Sequence, residues 1–363
     1  MLSCGIVGLP TVGKTTLFNL LTGARVKKSQ YFSGKTDANI GISRVPDRRI
    51  DFLSNQFKPR KTTYAQMEVI DVPGLVRGAS EGQGVGNAFL DGVRKVDALV
   101  QVVRAFRNSD VVHVENSINP ARDMETVNFE LLMADLDFVD KRITRIKQGK
   151  KVTPEQIQEL EILQKCLIHL EQELPFSSLE LSAEERLVLQ NYTFLTDKPM
   201  IIVVNLDEQQ FSAREYPGRE ALQQAAAQKG LPVVELCVQI EEELSQLELS
   251  DREAFFIELG ITEPAINQVM RVAYETLGLI SFFTVGEDEV RAWTIEQGTN
   301  ARRAAGKIHS DLERGFIRAE MMKYADLASL GSFAKVREAG KLSLEGKDYI
   351  VQDGDILNIR FNV

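Results

Sequence analysis

The chain has 363 residues, 44% hydrophobic and 26% charged, with a formal net charge of -9. That length holds two or three domains and at least one full core, and the acidic balance argues against a protein that coats DNA or RNA indiscriminately. No apolar run reaches the length of a membrane span, and the N-terminal residues lack the basic-then-apolar order of a secretory signal. Cys4, Cys166 and Cys237 are scattered and make no metal spacing. The expectation is a reduced, cytoplasmic protein with no membrane and no DNA partner.

Four short apolar runs, Cys4–Val7, Met67–Ile70, Ala98–Val103 and Met200–Val204, read as buried parallel strands, with a fifth at Pro232–Leu236. Each is too short for a helix, and most are rich in β-branched residues. Helical stretches lie between them, so the fold class is α/β with a doubly wound sheet. From about Asn119 to Thr196 the rhythm changes. Phe129, Leu132, Leu136, Val139, Ile143 and Ile146 alternate spacings of three and four, a heptad seam. Gly149 stops it, Thr153–Gln156 reads as a capping box with Pro154 at the first helical position, and a second seam runs Ile157, Leu160, Leu163, Leu167, Leu170, Leu174. The pattern predicts an antiparallel coiled-coil hairpin standing out as an arm; two ordinary surface helices are the alternative. Beyond Leu279, Phe282–Val285 and Arg291–Ile295 read as strands, a helix follows over 300–315, and Asp348–Val363 reads as strand, Asp-Gly turn, strand. That is a small α+β domain.

The segment Gly8-Leu-Pro-Thr-Val-Gly13-Lys14-Thr15 fits G-x-x-x-x-G-K-[ST] between a predicted strand and a predicted helix. Its glycines let backbone N–H groups curl towards an anion, and the helix adds its positive end. Lys14 reaches the outer phosphates of a nucleoside triphosphate and the Thr15 hydroxyl sits on Mg2+. Asp71-Val-Pro-Gly74 closes the next buried strand, where the carboxylate can hold Mg2+ through water and the Gly74 N–H approaches the γ-phosphate. The glycine-rich stretch after it, Leu75 to Gly86, suits a switch that orders on that phosphate. Asn205-Leu206-Asp207-Glu208 follows the fourth strand. Guanine-binding members of this class carry N-K-x-D there, and the aspartate takes two N–H bonds from guanine. Leucine and a longer glutamate remove that clamp, so the motif leans towards ATP, with Leu206 and backbone against adenine. His113 lies beyond the third strand, and a lone histidine is more often structural than catalytic. Lys141, Arg142, Arg145, Lys147, Lys150 and Lys151 cluster between the seams with no acid among them, a patch for RNA phosphate or simply a solvated helix end.

These motifs carry a resemblance to the YchF-type, Obg-like ATPases. It rests on Cys4–Asn19, Asp71–Ser80, Gly82–Leu90, Val103-Arg104, Asn205–Glu208, Asp353-Gly-Asp and Arg360–Val363, and it spans nearly the whole chain. The resemblance implies a Ras-like P-loop core over 1–278, interrupted by a coiled-coil arm at 120–196, and a TGS domain of β-grasp fold at 279–363. It implies Mg2+-dependent binding and slow hydrolysis of ATP, with GTP also accepted, and association with the ribosome through its large subunit. Carried onto this chain, Gly8, Thr11, Val12, Gly13, Lys14, Thr15 and Thr16 hold the phosphates, while Asn205, Leu206, Glu208 and Cys237 surround the base. Leu75 stands where many small GTP switches place a water-orienting glutamine, and His113 matches a family histidine suspected of serving hydrolysis instead. The family's Mg2+-binding switch threonine falls on Lys35, whose ammonium cannot ligate a cation, with Thr36 beside it; Thr11 replaces a usual asparagine. A GTP-specific ribosome-associated switch and a module that binds nucleotide without hydrolysing it are the alternatives. A small-molecule kinase explains neither Asp71–Gly74 nor the base motif.

Overall fold

Strands buried on both faces of a parallel sheet have no polar side to show in the sequence, and the uninterrupted apolar runs become such strands. They are β1 (Ser3–Val7), β4 (Gln66–Asp71), β5 (Ala98–Arg104), β6 (Met200–Asn205) and β7 (Val233–Leu236). Every residue of β1, β5 and β6 is buried, whereas the edge strand β7 alternates. The computed structural model describes residues 1–26, 38–75, 85–108, 110–149, 151–248, 251–252, 256 and 263–362. With β2 (Asn39–Arg44) the sheet order is β2-β4-β1-β5-β6-β7. The pairs β1/β4, β1/β5, β5/β6 and β6/β7 are parallel. The helices α1 (Lys14–Thr22) and α3 (Val85–Arg94) follow β1 and β4. This doubly wound sheet places the carboxyl ends of β1, β4, β5 and β6 together, where such folds bind ligands.

The predicted hairpin is α4 (Pro120–Lys147) and α5 (Pro154–Glu171). Thr153 and Gln156 form the expected capping box. Leu132, Val139, Ile143 and Ile146 of α4 pack with Leu163 and Leu170 of α5. The seams differ from expectation at their ends. Phe129, Ile157 and Leu174 are exposed, and Ile162 and Cys166 are buried instead. The reason lies at the root: α4 starts nine residues before Phe129, and its Met124, Val127 and Leu131 are buried there. The segment 172–199, which carries a short helix over Ala183–Val188, then completes the seam, stacking Phe176 on Phe194 with ring centroids 3.8 Å apart.

Contacts divide the chain into two units: Leu2–Gly41 with Glu68–Val269, and Ile42–Met67 with Met270–Val363. The hairpin falls in the first. The second contains the expected 279–363 segment and adds 270–278 and Ile42–Met67 to it. Its sheet has the order β11-β10-β12-β8-β9-β3, from β8 (Leu279–Val285), β9 (Glu289–Glu296), β10 (Phe316–Lys323), β11 (Ser343–Glu345), β12 (Asp355–Phe361) and the far upstream β3 (Lys61–Thr63). β3 pairs parallel with β9, from Lys61 opposite Glu289 to Thr63 opposite Arg291. The helix α2 (Arg48–Phe57) is pinned to the same unit by Arg49, which donates to Asp353 at 2.6 Å, and by the Phe57–Phe333 ring contact. Two local expectations are corrected. The helix over 300–315 breaks at His309 into Ala301–Ile308 and Ser310–Arg314. The C-terminal hairpin does not form: of its first arm only Ile350 makes a bridge, to Asn300, while β12 pairs with β10 and β8.

Candidate nucleotide site

The phosphate loop turns between β1 and α1 on two glycines that no other residue replaces. Gly8 has φ of +143°, and a Cβ there would lie 2.4 Å from Val102 O; Gly13 has φ of +105°, and its Cβ would lie 2.4 Å from Asn205 Nδ2. Thr11 also takes a left-handed φ of +62°, which a β-branched side chain adopts under strain. Lys14 is buried, its ammonium donating to Gly8 O at 3.0 Å and Leu9 O at 2.7 Å. Burial pushes its pKa down to about 8, against the opposing pull of the Asp71 carboxylate. Gly74 lies beside it, since a Cβ on Gly74 would sit 3.2 Å from Lys14 Nζ.

At the end of β4, Asp71 Oδ2 accepts from Thr15 Oγ1 at 2.9 Å and from Asn39 Nδ2 at 3.3 Å. Burial raises the Asp71 pKa; the bond from Thr15, the Lys14 charge and the bond from Asn39 all lower it. Leu75 is fully buried, and its N–H donates to Gly8 O at 3.1 Å, tying the start of the glycine-rich stretch to the phosphate loop. Residues 76–84 and the switch positions Lys35 and Thr36 lie outside the described residues. Thr16 is half-buried in the first turn of α1.

The base motif is built onto the same loop. Asn205 Nδ2 donates to Val12 O at 3.0 Å, and its Oδ1 accepts from Val238 N at 3.2 Å. One side chain thus clamps the phosphate loop to α9 (Val238–Gln246). Leu206 is buried, its N–H bonded to Leu236 O at 2.8 Å. Asp207 caps α7 (Glu208–Ala213) by accepting from Gln210 N at 2.9 Å, which leaves exposed Glu208 as the motif's outward carboxylate. Cys237 caps α9 and is buried with Ile240 and Leu244; desolvation raises its thiol pKa.

His113 does not stand alone. It is buried on the loop between β5 and α4, with Nε2 2.9 Å from Asp123 Oδ2. The arm-tip cations are partly engaged: Lys141 pairs with Asp137 at 2.7 Å and Arg142 with Glu159 at 2.6 Å, while Arg145, Lys147 and Lys151 are exposed. Lys150 lies outside the described residues. The motif reading missed Asn39 and Asp123. Asn39 meets the site through Asp71, 32 residues away; Asp123 reads locally as an acid in a helix's first turn, so no spacing rule marks it.

A phosphate loop, a strand-end aspartate bonded to its Thr15 and a base motif clamped to it define a P-loop nucleotide hydrolase. Residues 3–135 match the family model of the 50S ribosome-binding GTPase, and residues 279–362 match YchF-GTPase_C, described as a protein of unknown function. The chain is 43% identical over 366 residues to the ribosome-binding ATPase YchF of Bacillus subtilis, covering 100% of both. It is 43% identical over 361 residues to the protein of the same name from Escherichia coli O157:H7, covering 99% of each. The solved YchF GTPase of Schizosaccharomyces pombe superposes with a TM-score of 0.85 at 35% identity, covering 99% of this chain and 97% of that one. The chain belongs to the YchF family.

Proposed function

We propose that this chain is a Mg2+-dependent ATPase of the cytoplasm whose nucleotide state controls docking to the ribosome. The observation that supports the chemistry best is the joined arrangement of Lys14, Thr15 and Asp71 at the ends of β1 and β4. Lys14 trades the carbonyls of Gly8 and Leu9 for phosphate oxygens, and Gly8, Thr11, Val12, Gly13, Thr15 and Thr16 line the phosphates. The Gly74 N–H and Lys14 meet charge that develops on the γ-phosphate. Among the described residues no three His, Cys, Asp or Glu gather around one point. A hydroxyl and a carboxylate 2.9 Å apart fit Mg2+, which takes few protein oxygens and keeps water and phosphate as its other ligands. Thr15 would hold it directly and Asp71 through water; bound there, it neutralises phosphate charge. Thr36 remains the candidate for a further ligand.

The base preference follows from Leu206 and Glu208. A buried leucine packs on either purine, but no lysine lines the base and the carboxylate has moved one carbon out. Asn205 and Cys237 are assigned to the same base site. The curated relatives are named for ribosome binding, and we assign this chain the same partner, on its large subunit, with the 279–363 TGS domain and the arm as docking parts. Exposed Arg145, Lys147 and Lys151 suit RNA phosphate there, a contact that weakens with salt.

The test is calorimetric titration of nucleotide-free protein with ATP and GTP, both with Mg2+. ATP binding at least tenfold tighter, about 1.4 kcal/mol, is expected. Equal or tighter GTP binding would reassign the chain as a GTP-dependent switch. Phosphate release no faster than without protein would leave a binding module rather than an enzyme.

A further inference from the structure

The loop from Ala105 to Ile118 touches the phosphate loop at one point and the arm at another. Thr11 Oγ1 donates to Val112 O at 3.3 Å. The next residue, His113, lies against Asp123 in the first turn of α4. His113 Nδ1 accepts from Glu115 N at 3.1 Å, which puts the ring proton on Nε2. Nε2 is 2.9 Å from Asp123 Oδ2, and among the described residues both buried atoms lack a hydrogen-bond partner. The other Asp123 oxygen is fully used: Oδ1 accepts from Arg122 Nε at 3.0 Å and Nη2 at 2.7 Å. Arg122 also donates to Ser117 O at 2.8 Å, and Arg104 donates to Phe106 O at 3.1 Å and Asn108 O at 3.2 Å. Cations on either side of Asp123 therefore hold the two ends of the loop, and His113 holds its middle.

We infer that Asp123 is the positioning residue of His113: it keeps the imidazole on the root of the arm, and His113 turns to the nucleotide only when that root gives it up. This rests on the match of His113 to the family histidine suspected of serving hydrolysis. A buried carboxylate oxygen without a hydrogen bond gains little for its desolvation, so this contact opens at less cost than the hydrogen-bonded Arg122 and Arg104 contacts of the loop. Val112 moves with Thr11 when phosphates fill the loop, and the adjacent imidazole is pulled from Asp123. By the same linkage, a partner that holds the arm in its resting position holds His113 back.

The test has two arms on the full-length chain. The sequence contains three histidines, so nitrogen NMR of 15N-histidine-labelled protein resolves each ring. The Nε2–H form of His113 is expected without nucleotide and with ADP, and a shifted signal with Mg2+ and a non-hydrolysable ATP analogue. The same signal in all three states overturns the proposal. The second arm is Asp123→Asn, which preserves side-chain size and the acceptor for Arg122. It is expected to raise kcat for ATP about tenfold with KM unchanged, and to do nothing when His113 is also replaced by alanine. No rise, or the same rise without His113, overturns it. Failure of the ATPase reading is separate: it appears as absent ATP-dependent phosphate release in the unaltered chain.

Discussion

A buried lysine held at a depressed pKa among backbone carbonyls makes nucleotide binding depend on pH. Lys14 titrates at about 8 in the structure, and phosphate oxygens beside it would favour its charged form. Below that pKa the site already carries the charge; above it, ATP binds only together with a proton. ATP affinity is therefore expected to stay flat below about pH 8 and to fall above it, by up to about tenfold per pH unit. Titrations at about pH 8.5 in buffers of different ionisation heat should show proton uptake on binding; none would mean that Lys14 does not meet the phosphates. Lys14→Ala should abolish tight ATP binding altogether. Gly13→Ala should do so by another route, since its Cβ would collide with Asn205 Nδ2 and break the Asn205–Val12 clamp. Unchanged affinity in that variant would count against the loop geometry. These positions were legible because the phosphate motif is local in sequence. Asn39, 32 residues from its partner Asp71, was not.

The arm shows what a heptad pattern tells and what it leaves out. Leu163 is fully buried between α4 and α5, so Leu163→Ala is expected to cost about 2–5 kcal/mol in a denaturant melt. Phe129 occupies an equivalent place in the sequence pattern but is half exposed. Phe129→Ala should cost less than about 1 kcal/mol. Equal losses would mean that the seam runs the full length after all. Spacing announces that two helices will pack; it cannot say where along them the partner face begins. Here the root of α4 packs on the sheet, where Gln101 donates to Met124 O, and the segment 172–199 supplies Phe176 and Phe194, so the seam starts one turn later than its apolar residues do.

For the molecule as a whole, the segment from Ile42 to Met67 is the consequential departure. It is flanked in sequence by Asn39 and Asp71 of the nucleotide site, yet its β3 joins the C-terminal sheet and its α2 packs within the same unit. Ile50 and Leu53 of α2 are fully buried. A chain truncated after Gly278 is expected to expose them, bind a hydrophobic dye and lose cooperative melting. A truncated chain that melts as sharply as the full one would show that Ile42–Met67 folds without the C-terminal unit. Within that unit, Arg49→Ala removes the bonds to Asp47 and Asp353 and is expected to lower the melting temperature of the full chain.

By itself the sequence determined the parallel strands, the phosphate loop, the strand-end aspartate, the base motif and the existence of a helical hairpin. Each is written in residues close along the chain, as an apolar run, a fixed spacing or a cap. Only the tertiary structure decided that Asn205 clamps Val12, that His113 lies on Asp123, that β12 pairs with β10 and β8 rather than with its own neighbour, and that β3 crosses to the C-terminal sheet. Except for His113 and Asp123, which meet across a loop and a helix start, those contacts join residues far apart in sequence. They form because buried polar groups and strand edges must find partners wherever the fold brings them, and no local pattern encodes which partner that is.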